Sequence, residues 1–338
     1  MSGRFFEKLP CRGRLLVLDL GFLGDTVHLL PAVHLIKENF PDLILDVMVA
    51  EHVVEILRLA PFIDGVLGYP RFPCGLKWYK NGRWVRELRS RGYDAVVNLC
   101  GSERSCLLTR LSGAPLRLGR LASEAKWFKR SCFTDLVDYP AGEEPLYRQR
   151  WECLRKVGFR GDSPSFGMEL GESLKTRVGE MLGGACEFLH VSPFTTEDNK
   201  ELPLEVLAGA LNELSVDFDK LVISHARNER EARKMEGLKR ILSFEPYRMF
   251  GGNLNLCELA GVLSRARLHM GGGSGALHVA LMSGCPTVSW FRSSDPVKEW
   301  APQGDRHGSF VGEASADGIQ GVSGSQVVKV VREVSVGI

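Results

Sequence analysis

No stretch of this chain is apolar for long enough to suggest a membrane span, and the first candidate, residues 15–20, is short and interrupted by Asp19. Basic residues before that run give it a superficial likeness to a signal peptide, but it reads better as a buried first strand. Any membrane relationship is therefore expected to be peripheral. An excess of one charge is missing too: 43 Lys and Arg stand against 41 Asp and Glu, a net of +2. Such a surface is not built to neutralise many phosphates, so no nucleic acid partner is expected. The nine cysteines form no CxxC pair and no His/Cys cluster at zinc spacing, which excludes a disulfide scaffold and offers no metal site. Their odd number and scatter fit a reducing cytoplasm. Also absent are a Walker A sequence and a GxGxxG fingerprint after the first strand.

What is present is alternation. The 338 residues leave room for two domains at roughly 150 residues each, and 44% hydrophobic content supplies both with cores. Short β-branched or Leu-rich runs over 15–20, 43–49, 94–99 and 116–119 alternate with helical periodicity over 27–39, 51–59, 83–91 and 104–111. A helix over 146–157 is followed by Gly158, Gly161 and an Asp162-Ser163-Pro164 turn, predicting a boundary between domains 1–160 and 161–338. Strands then recur over 187–191, 220–224, 268–270 and 287–290, with helices over 203–214, 229–241, 256–264 and 275–283. The pattern predicts α/β architecture with two doubly wound parallel sheets. In such sheets ligands bind beyond the carboxyl ends of strands, so the loops there are where chemistry is sought.

Three loops qualify. After the first strand, Gly21, Gly24, Asp25 and Thr26 offer either a carboxylate base or an ordinary helix cap. After the strand ending near 191, Thr195, Thr196 and Lys200 offer two hydroxyls and a point charge suited to a diphosphate, or a plain solvated loop. After the strand over 268–270, Gly271, Gly272, Gly273, Ser274 and Gly275 lead into a helix, giving a phosphate cradle or a glycine-rich turn, with His278 one turn further on. The basic and aromatic segment Lys126, Trp127, Phe128, Lys129 and Arg130 breaks the α/β rhythm. It is expected to face an anionic acceptor or membrane surface, with a loop packed back on its own domain as the alternative.

Taken together and in order, these landmarks resemble glycosyltransferase family 9, the ADP-heptose:lipopolysaccharide heptosyltransferases. The likeness runs through segments 15–18, 23–32, 93–99, 111–114, 195–200, 259–263, 274–278 and 294–296, and so covers most of the chain. It implies a GT-B fold, two Rossmann-like domains facing across a cleft, with acceptor on the N-terminal side and nucleotide-sugar on the C-terminal side. It further implies that Asp25 is the general base of an inverting transfer; Gly24 is expected beside it at the acceptor, and Lys126, Lys129 and Arg130 are assigned to the acceptor by their own charge. On the donor side it implies Thr195, Thr196 and Lys200; Gly273, Ser274, Gly275 and His278 join them from the glycine-rich loop, and Glu229 is expected with them. No metal and no cofactor is implied beyond the ADP-sugar donor, and the acceptor is a lipid-anchored glycan met in the cytoplasm at the inner membrane.

Two positions depart from the family pattern. Gly273 stands where many members carry Asp, and Asp19 stands where many carry Lys or Arg. Arg292 and Asp295 are the neighbouring groups expected to compensate. A transferase using another nucleotide sugar, a non-catalytic nucleotide-sugar or glycan-binding GT-B protein, and a GT-B epimerase or phosphorylase are the competing readings.

Overall fold

Leu15, Leu16, Val17 and Leu18 are all fully buried, as an uninterrupted apolar run requires of a strand covered on both faces. The computed structural model describes residues 4–70, 82–121, 124–137, 142–316 and 318–336. The chain divides into two compact units, Met1–Glu169 and Leu170–Ile338. The division falls after Glu169, later than the glycine-rich turn at 158–164 suggested. Glu169 N–H bonds to Leu59 O, and Gly167 lies against His34 and Phe62, so the segment after the turn is held by the first unit.

In the first unit α1 (Phe5–Lys8) precedes β1 (Arg14–Leu18), α2 (Leu23–Asn39), β2 (Ile44–Ala50), a 3-10 helix at Glu51–Leu59 and β3 (Gly65–Tyr69). Then follow α3 (Gly82–Ser90), β4 (Ala95–Asn98), α4 (Glu103–Leu111), β5 (Leu116–Arg120), α5 (Trp127–Arg130), β6 (Asp135–Val137) and α6 (Leu146–Lys156). All described strands are parallel, in the order β3-β2-β1-β4-β5-β6. Strands β3 and β6 and the 3-10 character of 51–59 were not expected. Gly65 and Gly68 weaken the strand pattern of β3, yet a Cβ at Gly65 would lie 2.4 Å from Asp46 Oδ1, so close approach requires glycine there.

The second unit runs α7 (Glu172–Met181), β7 (Phe188–Ser192), α8 (Leu204–Leu214), β8 (Leu221–His225), α9 (Glu229–Ile241), β9 (Arg248–Gly251), α10 (Leu256–Leu263) and β10 (Ala266–Gly272). It ends with α11 (Gly275–Met282), β11 (Thr287–Arg292), α12 (Val297–Trp300), β12 (His307–Ser315), β13 (Gly318–Gln320) and α13 (Gly324–Val336). Its sheet order is β13-β12-β11-β10-β7-β8-β9, parallel except for the β12/β13 pair. Counted from β7, the six parallel strands repeat the winding of the first unit, the order of dinucleotide-binding sheets. Asn228 and Asn255 start α9 and α10 by accepting the N–H of Glu231 and Glu258.

The cores are aliphatic, and a fully buried Leu or Val contributes about 1.5–3 kcal/mol. A polar group among them therefore needs a partner. His190 and His269, on β7 and β10, supply each other: their Nδ1 atoms are 2.9 Å apart, and burial holds both imidazoles below their usual range. Among the described residues the cysteines are free thiols, and Cys74 lies outside them. Burial pushes Cys106 and Cys153 up to about 11 and Cys285 up to about 12, so these thiols stay protonated and inert. No described helix is long and apolar enough to cross a membrane.

Candidate active site

In each unit the sheet reverses its winding beside the first strand, between β1 and β4 and between β7 and β10. The crevice beyond the carboxyl ends of strands at such a point is where doubly wound sheets bind ligands. The three loops singled out in the sequence follow β1, β7 and β10, so the topology puts all of them at switch points.

The loop after β1 is organised around two carboxylates and one guanidinium. Helix α2 begins at Leu23, earlier than the expected 27, because Asp25 reaches back to accept the N–H of Phe22 at 2.9 Å. Asp25 is thus in the first turn rather than at the cap, with its side chain 24% exposed. A Cβ on Gly21 would fall 2.4 Å from Asp25 Cγ, so this glycine is what gives the carboxylate its place. Gly24 is buried in the same turn.

Asp19, by contrast, is fully buried. Its Oδ1 accepts Gly21 N–H at 2.7 Å and its Oδ2 lies 2.5 Å from Arg150 Nη2. Burial pushes the Asp19 carboxyl above its usual value, against the opposing pull of Arg150. The same Nη2 lies 3.5 Å from Asp25 Oδ1, while Nη1 donates to the backbone oxygen of Asp25. Arg150 is itself buried, on α6. That helix is held against α2 by His28, whose Nδ1 accepts the N–H of Tyr147 at 3.2 Å. A positive charge therefore does stand beside the Asp25 loop. Within the first unit it comes from Arg150; Arg292 and Asp295 lie in the second unit and pair with each other at 2.7 Å.

The loop after β7 is braced from beneath. Glu201 is buried, accepts Thr195 N–H at 2.8 Å, and is paired with Arg230 and with Lys234 at 2.6 Å. Arg230 also donates to Thr195 O at 2.7 Å and Asp198 at 2.8 Å. Thr195 is buried, and its hydroxyl closes the turn by bonding Glu197 O at 2.9 Å, so it builds the loop and is not displayed to a ligand. Thr196 is exposed. Lys200 Nζ pairs with Glu197 at 2.6 Å, and Glu197 in turn reaches Arg292 at 3.3 Å. Glu229 points to solvent beside Arg233; its neighbour Arg230 is the α9 residue that meets the loop.

The glycine run after β10 is shorter as a loop than the sequence suggested. Gly271 and Gly272 lie inside the strand, and Gly272 is glycine because a Cβ there would sit 2.7 Å from Thr195 and 3.2 Å from Lys200 O. At Gly273 a Cβ would meet the Phe291 ring at 2.6 Å. These glycines let the neighbouring loop and strand approach, a packing role beside the expected phosphate cradle. Ser274 caps α11 without a side-chain hydrogen bond, and residues 273–276 are half-exposed. His278 is buried with its ring 5.3 Å from that of Trp300, a packing contact one turn below.

In the segment expected to meet the acceptor, Lys126 and Arg130 are exposed and Trp127 is 81% exposed, while Lys129 Nζ donates to Gly101 O at 3.1 Å. The wider stretch 121–145 includes 122–123 and 138–141, which lie outside the described residues. Among the described residues no three His, Cys, Asp or Glu converge as metal ligands.

Comparison with known proteins gives this geometry a context. Lipopolysaccharide heptosyltransferase 3 of Escherichia coli is 21% identical over 287 residues, covering 83% of this chain and 84% of that protein. The crystal structure of a family 9 glycosyltransferase from Veillonella parvula DSM 2008 superposes with a TM-score of 0.82 at 18% identity, covering 96% of this chain and 98% of that one. E. coli heptosyltransferase WaaC with ADP-2-deoxy-2-fluoro heptose gives 0.76 at 16% identity, with 95% and 99% covered. The fold is accordingly GT-B, and residues 82–317 match the family of heptosyltransferases. With most of its length matched and its candidate loops at the two switch points, the chain belongs to glycosyltransferase family 9 and is a glycosyltransferase.

Proposed function

We propose that this enzyme transfers heptose from ADP-heptose, with inversion and without a metal ion, to a lipopolysaccharide core or related surface glycan on the cytoplasmic face of the inner membrane. The observation that carries the reading is Asp25: a partly exposed carboxylate at a switch point, fixed by Phe22 N–H and flanked by Arg150. In this reading Asp25 takes the proton of the attacking sugar hydroxyl as the new bond to the anomeric carbon forms. The electron pair of the broken bond leaves on the diphosphate, whose charge Lys200 and the open N–H groups of α11 offset. The first unit serves the acceptor and the second the donor. A heptosyltransferase structure holding an ADP-heptose analogue, with the same fold, supports the choice of donor.

The test is ADP release from ADP-heptose with and without core acceptor, beside UDP- and GDP-sugars. Release that requires both ADP-heptose and acceptor is expected. Binding without turnover would instead make the chain a binding protein, and donor conversion without acceptor an epimerase.

The acceptor side of the proposal includes Lys126, Lys129 and Arg130. Exposed Trp127 between cations suits an anionic interface, where each cation is worth roughly 1 kcal/mol. Neutralising the three together is expected to weaken sedimentation with anionic vesicles or to raise the acceptor KM, leaving donor affinity intact. If both measurements stay at wild-type values, the acceptor is recognised elsewhere.

A further inference from the structure

We propose that the Glu197 carboxylate occupies the place of the donor diphosphate in the free enzyme, and that Arg292 joins Lys200 as the second cation when the diphosphate displaces it. This rests on the reading that the loop over 195–200 holds the donor. Glu197 spans two cations from different elements, with Oε1 2.6 Å from Lys200 Nζ in the loop and Oε2 3.3 Å from Arg292 Nη1 at the end of β11. Two cations bridged by one anion's pair of oxygens is the arrangement a diphosphate requires.

Arg292 is oriented for this. Its Nε and Nη2 are held by Asp295 at 3.1 and 2.7 Å, which leaves Nη1 directed at Glu197 and at Asn199, 3.1 Å away. Strand β11 neighbours β10, so Arg292 shares the carboxyl edge of the sheet with the start of α11. The loop itself is braced by Glu201, Arg230 and Lys234, whereas the Glu197 side chain is 48% exposed. Displacement thus asks for rotation of one surface side chain, and the two pairs it breaks, to Lys200 and to Arg292, involve a half-exposed carboxylate and are weakened by solvent. Of the charges meeting here, Lys200 and Arg292 are balanced by Glu197 and Asp295; only when Glu197 swings away does a net positive charge face the ligand.

The experiment is calorimetric titration of the full chain with ADP, and with adenosine as the control lacking phosphate. Glu197→Gln is expected to bind ADP roughly five-fold tighter, the worth of about one exposed ion pair, with adenosine affinity unchanged. Arg292→Gln is expected to weaken ADP binding and to abolish most of the gain when combined with Glu197→Gln. If Lys200→Ala weakens ADP while Glu197→Gln leaves it equal or weaker, the displacement idea is overturned and the donor reading stands. If wild type does not bind ADP, or Lys200→Ala binds it normally, the donor reading itself falls.

Discussion

Asp25→Asn is expected to lower turnover by about two to four orders of magnitude, the usual worth of a general base, with little change in thermal stability. The substitution is a clean one because an amide oxygen can still accept the Phe22 N–H that starts α2, bonded at 2.9 Å in the wild type. What is lost is the capacity to take a proton and the charge facing Arg150 at 3.5 Å. ADP affinity, which the proposed function assigns to the second unit, should be unaltered. A helix-starting residue with no chemical role predicts the opposite, since Asn serves that position as well as Asp. Near-normal turnover of the Asn variant would remove Asp25 from the mechanism.

The largest expected effect on stability is at Arg150. Arg150→Met is expected to cost about 3–5 kcal/mol in denaturant unfolding, because it strands the fully buried Asp19 carboxylate without its counter-charge. Most of that cost should return in the double variant Asp19→Leu/Arg150→Met, where neither charge remains to be desolvated. The pH dependence has a definite sign. Burial already raises Asp19 above the usual carboxylate range, and removing Arg150 is expected to raise it further. The folded variant then binds a proton that the unfolded chain does not, so its stability improves as pH falls towards the unfolded value. The deficit relative to wild type should be larger at pH 7 than at pH 5. A deficit under about 1 kcal/mol, or one independent of pH, would show that Asp19 does not depend on Arg150.

Much of the fold was legible because the signals are local. An apolar run such as 15–18 is a strand buried on both faces, and periodic runs such as 204–214 and 229–241 became α8 and α9 nearly as read. Elements that lack a local signal were missed. Strand β3 carries two glycines, and β9, β12 and β13 lie at or near a sheet edge, where one-sided burial leaves a weaker pattern. The glycine run at 271–275 was legible only in part, for a related reason. Its composition announces that no Cβ fits, but the objects that exclude the Cβ, Thr195 at Gly272 and Phe291 at Gly273, come from another loop and another strand.

Residue order and composition were enough for the α/β class, the two-domain organisation, and the loops at 21–26 and 195–200 as places for a carboxylate and a lysine. Only the tertiary structure decided what those groups face. Arg150 is 131 residues from Asp19 and 125 from Asp25, and Arg292 is 95 from Glu197. Nothing in periodicity or spacing links positions so far apart. Strand order and the docking of α6 on α2 bring them together, and desolvation then makes the pairing of a buried charge obligatory. Asp19 shows the division well: its sequence position announced a missing cation, and the fold supplies one from a helix more than a hundred residues away.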